Sequence, residues 1–69
     1  MFDERELRAQ LVRKGVSVKE LCQHLGIDES TFYRKIKADG AFTRKEINDI
    51  MDYLKIEDPM KIFFAEEHA

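Results

Sequence analysis

The stretch "STFYRKIK", residues 30 to 37, gathers the side chains of this sequence best suited to recognition chemistry. At 100° per residue, Phe32 and Ile36 share one side of a helix, and Ser30, Tyr33, Arg34 and Lys37 spread across the other. Hydroxyl, phenol, guanidinium and ammonium groups on one exposed face supply hydrogen bonds and positive charge. That is equipment for holding a partner.

Reactive constellations do not form in the same way. Cys22 is the single cysteine, which excludes an internal disulfide, and only His24 and His68 accompany it, so no ligand set stands at zinc-finger spacing. Cys22 and His24 are two apart on an expected helix and point to different sides, which argues against a Cys/His nucleophilic pair. A small buried thiol and a surface imidazole are expected instead. No nucleophile, base and orienting group can be placed together, so no enzyme, metal or cofactor is expected.

Composition bounds the rest. Sixty-nine residues suit one domain with a small core, residues 1–69 being read as a single unit, and leave little room for a large catalytic cleft. Hydrophobic residues at 43% and charged residues at 38%, with the apolar ones spaced periodically, indicate a globular chain. No apolar run of membrane-spanning length occurs, and the charged start from Met1 to Arg8 lacks the apolar segment of a secretory signal. A cytoplasmic protein without membrane association is expected.

The elements that must position the recognition face are well punctuated. "DERE" (Asp3 to Glu6), "SVKE" (Ser17 to Glu20) and "TRKE" (Thr43 to Glu46) each set a capping residue three before a Glu, the reciprocal box that opens helices. Phe2, Val16 and Phe42 precede those caps and find apolar partners five positions on, at Leu7, Leu21 and Ile47. Asp28 can cap another helix, and Asp58 before Pro59 a fifth. Gly15, Gly26 and Gly40 stand where closing residues are wanted. Helices are therefore expected over 4–14, 18–25, 29–38, 44–55 and 59–65, with no strand. The expected core is Leu7, Leu11, Val12, Leu21, Cys22, Leu25, Ile27, Phe32, Ile36, Phe42, Ile47, Ile50, Met51 and Leu54. A compact all-α, five-helix domain follows.

The second and third helices are short and joined by about three residues that include Gly26, the layout of a helix-turn-helix. "VSVKELCQHLGIDESTFYRKI" resembles the helix-turn-helix of the lambda repressor and Cro-like family, and "AFTRKEINDIMDYLKI" followed by "IFF" resembles the remainder of its small phage or prophage members. The resemblance implies a lambda repressor-like DNA-binding domain, usually dimeric, acting as a transcriptional repressor through its third helix in the major groove. Carried over residue by residue, it implies base reading at Glu29, Ser30, Tyr33 and Arg34, with Thr31 and Lys37 nearer phosphate. At two places the sequence differs from the family pattern. The loop Ala38 to Ala41 carries Asp39 in place of basic or amide residues, and Lys35 occupies a position commonly apolar, its packing role passing to Ile36.

Physical chemistry points the same way. A helix fits the major groove, where each base pair shows a distinct pattern of donors and acceptors. Arg34 suits a guanine, Glu29 a cytosine amino group, Ser30 either, and Tyr33 a thymine methyl group or a phosphate. Uncapped amides at the starts of the second and fourth helices, near Ser17 and Thr43, suit phosphates, with Lys19, Arg44 and Lys45 beside them. The net charge is −2, yet residues 30–45 carry +4 against −1 for residues 1–29 and −5 for residues 46–69. Positive charge thus gathers on the proposed DNA face.

Two further expectations concern partners. Asp28 and Glu29 would repel phosphate at the head of the third helix, which keeps open an alternative role as a protein-interaction module such as an antirepressor or antitoxin. One helix reads too few base pairs to select a genomic site, so a homodimer on a palindromic operator is expected. Ile62, Phe63 and Phe64 are consecutive and cannot all face one helix stripe, so Phe63 or Phe64, with the end of the fourth helix, is the expected dimer contact.

Overall fold

A computed structural model describes residues 1–64 as four α-helices and one short 3-10 turn, with no strand among the described residues. The helices are α1 (Glu4–Lys14), α2 (Val18–Leu25), α3 (Glu29–Lys37) and α4 (Arg44–Leu54), followed by the 3-10 turn Pro59–Lys61. All five expected caps are used: the side chains of Asp3, Ser17, Asp28, Thr43 and Asp58 each accept a backbone N–H of the segment they open. Gly15 and Gly26 close α1 and α2 in the left-handed conformation, as their positions predict, whereas α3 is capped by Ala38 and not by Gly40.

The fifth helix is not formed as expected. Only Pro59–Lys61 is helical, and the expected end at residue 65 lies outside the described residues. The reason is tertiary. Ile62 and the adjacent Phe63 are both taken into the core, Phe63 packing on Phe2 and Phe42, and the Ile62 carbonyl accepts the Asp3 N–H at 2.6 Å, which ties this turn to the start of α1. The same bond leaves "DERE" half a capping box. Asp3 accepts from Glu6, but its own N–H is spent on Ile62, and Glu6 lies 3.2 Å from Gln10 Nε2 and 3.7 Å from Arg13. The boxes at Ser17 and Thr43 are complete.

One hydrophobic cluster holds the fold, and it includes Leu7, Leu11, Leu21, Cys22, Phe32, Ile36, Ile50 and Leu54. Leu25, Ile27, Ile47 and Met51 pack against it while partly buried. Val12 is a correction, being 81% exposed. It follows Leu11 by 100° and so falls off the stripe that Leu7 and Leu11 define four residues apart. Phe2, Ile62 and Phe63 enter in its place: the Phe2 ring lies 6.0 Å from Phe42 and 5.8 Å from Phe63, joining the segments before α1 and after the 3-10 turn to the loop after α3.

That loop explains one departure from the family pattern. Asp39 and Gly40 both have positive φ, 59° and 72°, and the N–H groups of Gly40 and Ala41 both return to the Lys35 carbonyl. The Asp39 carboxylate accepts the Phe2 N–H at 3.2 Å. Asp39 thus serves the turn and the N-terminal segment, a task no basic residue could take.

Candidate nucleic-acid interface

The Asp28 carboxylate accepts the Thr31 N–H at 2.7 Å and so decides that α3 begins at Glu29. This hydrogen bond holds the Asp28 carboxyl below the usual carboxylate range. A negative charge here also complements the positive end of the helix dipole. With Phe32 and Ile36 buried, the opposite side of α3 is left to solvent. Glu29, Ser30, Tyr33, Arg34 and Lys37 are all exposed and occupy an arc of about 140°. All four expected base readers therefore share one surface with Lys37.

Thr31 is half-buried and lies past the edge of that arc. Tyr33, 37% exposed, leans toward α1, where the Arg8 guanidinium sits 6.0 Å from its ring centre. Arg8 is also bonded to Glu4 at 2.8 Å, and this bond chiefly raises its pKa. Arg8 thus borders the site from another helix. No local pattern could have found it, because 25 residues separate it from Tyr33.

The helix starts flanking α3 differ from expectation. Ser17 Oγ accepts the Glu20 N–H at 3.1 Å while Glu20 accepts the Ser17 N–H at 3.3 Å. Thr43 Oγ1 accepts the Glu46 N–H at 3.1 Å while Glu46 accepts the Thr43 N–H at 2.8 Å. Two amides at each start are therefore occupied, which corrects the expectation of uncapped ends. What remains for an anion is the first two amides of each helix, at residues 18 and 19 and at residues 44 and 45, together with the protons of the two cap hydroxyls.

Cations divide into two groups. Lys35 is bonded to Glu46 at 2.9 Å and Lys45 to Asp49 at 2.8 Å. Among the described residues, Lys19, Arg34, Lys37 and Arg44 enter no ion pair. The Lys45 ammonium is nonetheless highly exposed, and its bond to Asp49 raises its pKa.

Behind the surface, Cys22 is buried where α2 meets α3, and burial pushes its thiol up, with Glu29 and Asp28 adding to the effect. His24 is exposed but stacks on Tyr53, rings 4.2 Å apart and inclined by 16°, tying α2 to α4. Among the described residues no cluster of three or more metal-ligating side chains occurs, and no helix is long and apolar enough to cross a membrane.

The expected dimer contacts separate. Phe63 is buried at 6% exposure against Phe2 and Phe42, so it is unavailable to a partner; Phe64 is 49% exposed. Phe64 borders a groove of about 510 Å³ with Phe42, Ile47, Met51 and Pro59, which Arg44 and Asn48 also line.

A family profile described as the Cro/C1-type HTH DNA-binding domain matches residues 6–59 of this chain. No curated protein and no solved structure matches it.

Proposed function

We propose that this chain, which belongs to the family of Cro/C1-type helix-turn-helix DNA-binding domains, is a sequence-specific regulator of transcription of the repressor type that lays α3 in the major groove of double-stranded DNA. The observation that carries this reading is the exposed arc of α3, where Arg34 and Lys37, in no ion pair among the described residues, stand beside the hydrogen-bonding groups of Ser30 and Tyr33. Glu29, Ser30, Tyr33 and Arg34 read base edges in this proposal. Lys37, Lys19 and Arg44 contact phosphates, with the hydroxyls of Ser17 and Thr43 and the first amides of α2 and α4. Thr31, half-buried, and Lys45, shared with Asp49, take lesser phosphate roles.

A single α3 covers one half-site, so we propose a homodimer on a palindromic operator with half-sites about 34–36 Å apart. Phe64 and the groove beside α4 supply its contact in this proposal, because the core leaves Phe64 half exposed beside Ile47, Met51 and Pro59.

The test is selection of duplexes from a random library, followed by fluorescence anisotropy on the selected site and a scrambled one across a salt series. A preference of about 10³-fold or more for the selected site, with affinity falling as salt rises, is the expected outcome. Binding to no duplex at any salt would remove the DNA reading and leave the interaction module, which Asp28 and Glu29 at the head of α3 favour.

A further inference from the structure

We propose that Lys35 and Glu46 form a positioning latch that sets the roll of α3 against the start of α4, so that Lys35 serves DNA recognition from inside the protein and does not contact phosphate. The inference rests on the reading of α3 as the base-reading helix.

Three observations carry it. The ion pair is 2.9 Å long and mostly shielded, with side-chain exposures of 22% for Lys35 and 14% for Glu46. The same oxygen of Glu46 that accepts from Lys35 Nζ also accepts the Thr43 N–H at 2.8 Å, so Lys35 is tied to the capping box that opens α4. The loop between the helices supplies no equivalent tie, because the N–H groups of Ala38, Gly40 and Ala41 all fold back onto carbonyls of Arg34 and Lys35. Among the described residues, the Lys35 to Glu46 bond is the side-chain hydrogen bond that joins α3 to α4.

The geometry gives the pair its leverage. Lys35 lies about 100° around α3 from Arg34, so holding its stem toward α4 fixes the direction in which Arg34 leaves the helix. A roll of about 10° moves atoms at the outer radius of a helix by about 1 Å, which is enough to spoil a bidentate contact whose useful range is about 2.7–3.2 Å. Lys35 therefore belongs to the architecture of the site and leaves its basic surface. Its departure from the commonly apolar family position is explained.

Two variants separate this role from the alternatives. Glu46→Gln keeps an acceptor for Thr43, since Gln also closes a capping box, and removes only the charge. Lys35→Met keeps most of the stem and removes the ammonium. With both proteins held well below their melting temperatures, each is expected to lose about tenfold in affinity for the selected operator, the double variant losing no more than either single one. Affinity for a scrambled duplex should stay within about twofold, because phosphate contacts are retained. If Lys35 is instead a phosphate contact, Lys35→Met weakens both duplexes and lowers the salt slope by about one, while Glu46→Gln tightens both by freeing a cation. Opposite signs for the two variants overturn the latch. Residual dipolar couplings of the free proteins give a readout without DNA: the orientation of α3 relative to α4 should change in both variants, and an unchanged orientation also overturns the proposal. Should the wild type bind no duplex, the DNA reading fails, and the couplings alone decide whether the latch exists.

Discussion

Arg34 and Lys37 lie on the same exposed arc of α3, one turn apart, and differ in the chemistry of their head groups. A planar guanidinium can grip the O6 and N7 of a guanine together, whereas an ammonium acts as a point charge toward phosphate. Arg34→Ala is therefore expected to cost about 1–3 kcal/mol on the selected operator and to relax preference at one base pair, read by repeating the library selection. Lys37→Ala should weaken selected and scrambled duplexes alike and reduce the salt slope by about one. Glu46 carries a separate expectation. Burial opposes its ionisation most strongly, yet the Thr43 amide and Lys35 together outweigh that and hold its carboxyl below the usual range. A carboxyl with a lowered folded-state pKa contributes stability above its unfolded pKa of about 4.3 and loses it as pH falls through the folded value. The gap in melting temperature between wild type and Glu46→Gln should thus hold from neutral pH to about 4.5 and close on further acidification.

Between elements, the connections set the helix directions, and two glycines with nearly the same φ do so under different constraints. Gly26 closes α2 at φ 73° with open space around the position of a Cβ, while at Gly40, φ 72°, a Cβ would lie 2.6 Å from Phe2 Cβ. Gly26→Ala should cost only the left-handed strain of about 1–2 kcal/mol. Gly40→Ala adds the displacement of an aromatic ring from the core, so it should cost about 1–3 kcal/mol more. Urea denaturation of the two variants checks the order, and equal losses would show that Phe2 yields without penalty. The same comparison bears on recognition, because the Gly40 turn carries the chain from α3 to Thr43 at the start of α4.

For the molecule as a whole, the adjacent aromatics Phe63 and Phe64 part company, the first being buried and the second exposed and proposed to serve assembly. Phe63 lies inside the cluster, and Phe63→Ala is expected to cost about 3–5 kcal/mol, comparable with the entire stability of so small a domain. Its loss would appear in circular dichroism as an unfolded or marginal chain, so it cannot report on assembly. Phe64→Ser should leave the melting temperature nearly unchanged and shift sedimentation toward the monomer while weakening binding to a palindromic site. A Phe64→Ser protein that sediments and binds like the wild type would remove this groove as the dimer contact.

The starts of all four α-helices are local facts, and the capping residues Asp3, Ser17, Asp28 and Thr43 state them directly. A cap, a Glu three residues later, an apolar pair at staple spacing and a closing glycine each act within one or two turns, so their physics is complete in the sequence. The exposed face of α3 is legible for the same reason, since Phe32 and Ile36 define the buried side by period alone. Two departures from expectation are local, Val12 and the cap of α4, and the others span a longer separation. Val12 was lost from the core by one step of rotation, which no count of apolar residues detects. Lys55 closes α4 at φ 54° without a glycine to announce it. The fifth helix shrank to a turn where Ile62 and Phe63 both enter the core, Phe63 against Phe2 and Phe42 from far off along the chain. Lys35, which composition assigns to the basic face, is drawn aside by Glu46 from the next helix, and Arg8 reaches Tyr33 from the first. Sequence periodicity specifies which way a side chain leaves its own helix, but what it meets there depends on how the helices are assembled, and only the folded chain supplies that.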